Sequence, residues 1–210
     1  MREKRLGRTD LIASELGLGG IPLTRPDLDA AVRLVKHCFD QGVTFFDTAY
    51  LYGDSELKMG TALQDVRNQV VLATKTLVRD AKGAAYQLEK SLERLKTDYI
   101  DLYQIHNIST QEALDSVLAP GGAYEALVQF MGEGKIRHIG FSSHNVDMAV
   151  AACHTGKFAT VQIPFNFIEH DPAEKLFHVA RDQDMGIIAM KPLGGGLLDR
   201  TDLCFGFLQQ

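Results

Sequence analysis

Cysteine is scarce in this chain: Cys38, Cys153 and Cys204 are odd in number and lie far apart. They match no metal-ligand spacing and form no disulfide framework, so the chain reads as a protein of a reducing compartment, the cytoplasm, with no metal. Long apolar runs are also missing, and none approaches the ~20 residues of a membrane-spanning helix. The opening M-R-E-K-R-L-G lacks the apolar stretch of a secretory signal. Neither sign of charge dominates, with 22 Lys and Arg interspersed among 27 Asp and Glu for a net charge of −5. That balance excludes a nucleic-acid or anionic-membrane surface. The 6 Pro and 19 Gly sit at turns and do not gather into a linker, so residues 1–210 read as one domain. No letter-level repeat supports a solenoid.

What is present centres on Val43 to Glu56, V-T-F-F-D-T-A-Y-L-Y-G-D-S-E. A short β-branched and aromatic run has the composition of a buried strand, and it delivers Asp47 where that strand ends. Tyr52 follows five residues later, backed by Gly53 and the helix-opening Asp54 and Ser55. A strand ending in a carboxylate, then a loop with a phenol, is how a barrel enzyme holds chemistry over a rigid floor.

The same unit recurs along the chain. Arg5 to Leu16 reads as a hairpin around Gly7, and Glu15 to Leu18 as a first strand. Further strands are expected at 44–46, 70–74, 99–105, 136–141, 160–164 and 186–190. Helices are expected from 28 to 39, from 55 toward 64, and at 84–95, 124–131, 146–154 and 172–183. The strands are near-continuous apolar runs, as in a parallel sheet covered on both faces. The first strand ends in Gly19-Gly20-Ile21-Pro22, which is not the G-x-G-x-x-G of a doubly wound dinucleotide fold. Polar residues stand instead at the carboxyl end of nearly every strand. The expected class is therefore α/β, a TIM-type (β/α)8 barrel, with an N-terminal hairpin and about seven β/α units.

Those strand-end residues are Asp47, Lys75 in L-A-T-K-T, His106 in Y-Q-I-H-N, Ser142 and Ser143 in G-F-S-S-H-N, Gln162 in V-Q-I-P-F-N and Lys191 in M-K-P-L-G-G-G. Neighbouring strands would bring Asp47, Lys75 and His106 into one mouth, with Tyr52 above. An ammonium ~4 Å from a phenol is attracted to the phenolate by about 4 kcal/mol at an effective dielectric near ~20. The lysine is therefore expected to lower the pKa of Tyr52, by up to roughly three units before desolvation. Asp47 holds the ammonium and partly offsets it. Such a phenol, with His106 donating to the same oxygen, suits protonation of a carbonyl while hydride arrives at carbon. Ser142 and Ser143 have a plainer reading as caps of the following helix.

The ordered set D-T-A-x-x-Y-G-x-S-E, strand-end Lys and His, G-F-S-S-H-N, V-Q-I-P-F-N and K-P-L-G-G-G resembles the aldo-keto reductase family over nearly all of residues 4 to 198. The resemblance implies an NAD(P)H-dependent carbonyl reductase acting on an aldehyde or ketone. Tyr52 is then the general acid, Lys75 tunes it, Asp47 supports Lys75 and His106 orients the carbonyl. It implies a cofactor, NADP(H) or else NAD(H), held by Gly20, Thr48, Ser142, Ser143, Gln162, Met190, Lys191, Leu193, Gly194 and Gly196. Met190 departs from the aromatic residue that many members stack on the nicotinamide. Some relatives are ancillary cofactor-binding subunits with negligible turnover, which stands as the alternative function. Seven strands leave the first and seventh with open edges, so an eighth strand and the adenosine-phosphate grip are expected to lie beyond Gln210, with Thr201 to Gln210 opening a seventh helix.

Overall fold

The structure is a computed structural model and describes residues 1–209. Two short antiparallel strands, β1 (Glu3–Arg5) and β2 (Ile12–Ser14), form the hairpin. Seven strands follow: β3 (Gly17–Gly19), β4 (Phe45–Asp47), β5 (Val71–Thr76), β6 (Ile100–Ile105), β7 (Ile136–Ser142), β8 (Thr160–Pro164) and β9 (Gly186–Met190). They pair in chain order and all in parallel, giving a sheet curled about a concave face. The (β/α)8 architecture is recognisable with seven of its strands, and among the described residues no strand pairs β3 with β9. Gln210, the last residue of the expected terminal helix, lies outside the described residues.

Helices cover the convex face: α1 (Leu28–Asp40), α2 (Ser55–Leu63), α3 (Ala81–Leu95), α4 (Gln111–Leu118), α5 (Ala123–Gly132), α6 (Val146–His154), α7 (Asp171–Lys175) and α8 (Phe177–Asp182), while α9 (Thr201–Leu208) sets Phe207 against Phe165 and Phe167 after β8. Their starts follow local chemistry. Asp27, Asp80, Thr110 and Asn145 each accept from a backbone N–H three residues on, satisfying donors that the first turn leaves free. α4 is an extra helix between β6 and β7 that the periodicity did not reveal, because its eight residues bury only Leu114 and Val117. The expected single helix over 172–183 divides into α7 and α8 at Leu176, a fully buried residue with φ −105°.

Alternation along the strands sorts the residues into layers. Phe46, Leu72, Tyr103, Phe141 and Val161 point outward into the core beneath the helices. On the concave face Phe45, Val71, Ala73 and Leu102 form an apolar floor, closed from below by Ala13, Leu6 and Leu11 of the hairpin. One step nearer the carboxyl ends of the strands the layer turns polar, with Asp47, Lys75, Gln104 and Gln162, all buried. A barrel usually fills such layers with branched aliphatic side chains. The polar layer is the floor of the candidate site.

Candidate functional site

The floor is held by hydrogen bonds across four strands. Lys75 Nζ donates to both carboxylate oxygens of Asp47, at 2.7 and 2.6 Å, and to the Thr48 carbonyl at 2.7 Å. Asp47 also accepts from Gln104 Nε2 at 3.1 Å and from Gln162 Nε2 at 3.2 Å. Burial pushes the Lys75 pKa down from its ordinary value, while Asp47 and then Glu56 act the other way. An ammonium with a bidentate carboxylate and a carbonyl is satisfied, which is what a buried charge requires.

Above the floor stand Tyr52 and His106, their rings edge to face at 5.8 Å. The Lys75 ammonium lies 5.6 Å from the Tyr52 ring centre. The sequence predicts that this lysine lowers the Tyr52 pKa, and the structure reverses the sign. Burial, followed by the Asp47 carboxylate, pushes the phenol up to about 12. The reason is directional: the hydrogen bonds of Lys75 go to Asp47 and Thr48, so none reaches the phenol oxygen. His106 is driven the other way, to about 4, by burial first and then by Lys75, His144 and Arg79. Its Nδ1 is buried without a partner, leaving Nε2 as the accessible nitrogen. At neutral pH the pair is therefore a protonated phenol beside a neutral imidazole.

The loops carrying Tyr52 and Gly20 are fixed to one another. Gly20 N–H donates to the Asp47 carbonyl at 2.7 Å, and its own carbonyl accepts from Ser55 Oγ at 2.8 Å. Thr48 Oγ1 meets Ser55 Oγ at 2.8 Å. A Cβ at Gly20 would lie 2.6 Å from Ser55 Oγ and 2.7 Å from Thr48 Oγ1, so only glycine allows this approach. Lys58, buried on α2, clamps the same loop through the Leu23 and Pro26 carbonyls at 2.9 and 2.8 Å.

Ser142 and Ser143 lie at the mouth, with their hydroxyls engaged within the protein. Ser142 Oγ accepts from the Asn107 N–H at 2.9 Å. Ser143 Oγ bonds the Asn145 N–H and carbonyl, while Asn145 itself caps α6. Met190 ends β9 half-buried, and the exposed Lys191 follows with φ 56°. Leu193 and the glycine turn come next, with Gly194, Gly195 and Gly196 all at positive φ. Asn166 Nδ2 donates to the Lys191 carbonyl at 3.0 Å. No hydrogen bond ties this turn to the Asp47 cluster among the described residues, and Lys191 forms no ion pair there. The sites predicted from the sequence thus fall into two groups: Asp47, Thr48, Tyr52, Lys75, His106, Gln162 and Gly20 around one floor with Ser142 and Ser143 at its mouth, and Met190 to Gly196 at the far edge.

Two residues at this site escape the motif reading. Gln104 was visible in principle, since it shares the inward face of β6 with His106 two positions on. Arg79, in the loop after β5, donates to the His106 and Asn107 carbonyls, each at 2.8 Å. No period or motif marks it.

Residues 15–203 match the Aldo/keto reductase family. The chain is 33 % identical over 222 residues to the aldo-keto reductase YhdN of Bacillus subtilis, covering 94 % of this chain and 64 % of that protein. It is 32 % identical over 217 residues to the oxidoreductase YqkF of the same organism, covering 97 % and 68 %. Among solved structures it superposes on an aldo-keto reductase of Bacillus halodurans in its holo form with a TM-score of 0.85 at 28 % identity, covering 95 % of this chain and 69 % of that one. An aldo/keto reductase of Klebsiella pneumoniae, solved with NADP and acetate, gives a TM-score of 0.80 at 25 % identity, covering 96 % and 71 %. The chain spans 59 to 68 % of the length of the curated relatives it matches. It belongs to the aldo/keto reductase family.

Proposed function

We propose that the protein reduces the carbonyl group of an aldehyde or ketone at the mouth above Asp47 and Lys75, with Tyr52 as general acid. The observation that carries this reading is the Tyr52–His106 pair, two uncharged proton carriers side by side at the end of a buried, charge-balanced floor. A phenol held at about 12 arrives loaded with its proton at neutral pH. It gives that proton to the carbonyl oxygen as negative charge develops there, because an alkoxide is more basic than the phenolate left behind. Lys75, close beneath the ring, then stabilises that phenolate, and water reprotonates it. His106, neutral, donates its accessible N–H to the same oxygen and fixes the carbonyl face.

A nicotinamide cofactor, NADP(H) as in the Klebsiella relative, supplies the hydride when bound. The residues at the β9 end suit it. Lys191 is an exposed cation without an ion pair among the described residues, and the Gly194–Gly196 turn presents backbone to solvent, a combination that cradles phosphate. Thr48, Ser142, Ser143, Gln162 and Met190 complete the set of residues assigned to the cofactor. The three free cysteines agree with a cytoplasmic placement. The test is steady-state oxidation of NADPH with a panel of aldehydes, quinones and ketones. Turnover that Tyr52→Phe abolishes supports the reading. Tight NADPH binding with no turnover on any member replaces it with that of an ancillary subunit.

A further inference from the structure

The inward face of β6 carries a buried amide, Gln104, in the polar layer that it shares with Asp47, Lys75 and Gln162. Its Nε2 donates to Asp47 Oδ1 at 3.1 Å and to Gln162 Oε1 at 3.2 Å. Gln162 returns a bond from its own Nε2 to Asp47 Oδ2 at 3.2 Å. Lysine on one side and two amides on the other thus surround the carboxylate, and all of them are buried.

The orientation of Gln104 is dictated by charge. Turned over, the amide would aim its oxygen at Asp47. In the orientation adopted, Oε1 is left buried without any partner. A residue kept only to fill space would be an aliphatic one with no such orphan, so the unpartnered carbonyl accompanies a donor pair that the site uses. Asp47 is the group that steers the Lys75 ammonium and whose charge raises the Tyr52 phenol. Donors on its other face draw off part of that charge and stop the carboxylate from rotating.

We propose that Gln104 is a positioning residue for carbonyl reduction, one that holds the Asp47 carboxylate square to Lys75 and tempers its charge beneath Tyr52. This rests on the reductase reading given above. Gln104→Leu keeps the bulk and removes both donors, and a loss of roughly 10- to 100-fold in kcat is expected, as for other partners that orient a site's primary groups. KM for NADPH and for the carbonyl substrate should stay within a few-fold. Gln104→Glu gives a sharper signature. Protonated, the acid still donates to Asp47, whereas ionised it repels Asp47. Its kcat should therefore be nearest wild type at low pH and fall as pH rises, a limb absent from both wild type and Gln104→Leu.

A third measurement does not need turnover. In wild-type protein the Gln104 side-chain amide protons should resonate downfield and exchange slowly, and in Asp47→Asn they should return toward ordinary values. Wild-type-like kcat in Gln104→Leu, a Gln104→Glu profile that superposes on wild type, or amide protons indifferent to Asp47→Asn would each overturn the proposal. If wild-type protein reduces nothing in the carbonyl panel, the reductase reading fails, and the amide resonances still decide whether Gln104 grips Asp47.

Discussion

The molecule buries two strand carboxylates, and they behave differently. Asp101 opens β6 at the amino end of the sheet and points outward beneath the helices. It accepts from Arg67 Nη2 and Arg137 Nη1, each at 2.8 Å, and from the Leu72 N–H at 3.0 Å. Asp47 closes β4 at the carboxyl end and points inward, to Lys75, Gln104 and Gln162. Both satisfy their charge, yet the groups around them differ. The surroundings of Asp101 are two arginines, with the imidazole of His138 within reach of its charge and the Tyr99 ring against both guanidiniums. Those of Asp47 lead to a phenol and an imidazole, both driven far from their ordinary pKa values and only partly covered. A buried ion pair at the foot of a barrel fastens strands, while the same pair at the rim prepares chemistry.

That contrast breaks most sharply at the rim. Tyr52→Phe should lower carbonyl reduction by about 10²- to 10⁴-fold, the range for a lost general acid, and leave cofactor affinity and melting temperature nearly unchanged. Stopped-flow turnover with a fluorescence titration of NADPH checks it, and retained turnover or an equal loss of cofactor affinity would remove Tyr52 from its role. At the foot the expectation inverts. Asp101→Ala leaves the half-buried Arg67 without its counter-charge, and it should cost about 3 kcal/mol or more of stability in urea unfolding, with kcat of the folded fraction unchanged. A variant that melts like wild type but turns over slowly would show that the two clusters are coupled. At the far edge, Lys191→Ala should raise KM for NADPH by roughly 10-fold and weaken its dependence on salt, the effect of losing one charge-assisted contact to phosphate. The kcat at saturating cofactor should hold.

Much of this arrangement is legible in the sequence because it is written in alternation and order. All seven parallel strands are foreseen within two or three residues, since buried parallel strands are short apolar runs and their helices have caps. Asp47, Lys75 and His106 stand out because strand ends are where polar residues break those runs. Gln104 escapes because a lone polar residue inside a strand looks like noise until its partners across the sheet are known. Asp101 and Arg67 escape because 34 residues separate them and neither belongs to a motif. The Tyr52 pKa is foreseen with the wrong sign. Sequence gives proximity to Lys75, whereas the sign depends on where the hydrogen bonds of the ammonium point and on how much water the phenol has lost.

The smallest expected effect concerns the protonation of His106. Its pKa is pushed down to about 4 in the folded protein, by burial first and then by Lys75, His144 and Arg79, from about 6.5 in the unfolded chain. Between those values the unfolded state binds a proton that the folded state refuses, so stability rises with pH across that window. The contribution is complete above about 6.5 and is lost as pH falls toward about 4. Urea midpoints measured across this window should therefore decline with acidity in wild-type protein and in Asp101→Ala, and more shallowly in His106→Gln, which has no proton to take up. The kcat/KM for carbonyl reduction should show no ionisation from His106 between about pH 5 and 8, because the imidazole stays neutral and keeps its N–H for the substrate. An activity limb near 6.5 that His106→Gln abolishes would mean that the imidazole is not held neutral at the rim, and the distinction between the two carboxylates would then rest on Tyr52 alone.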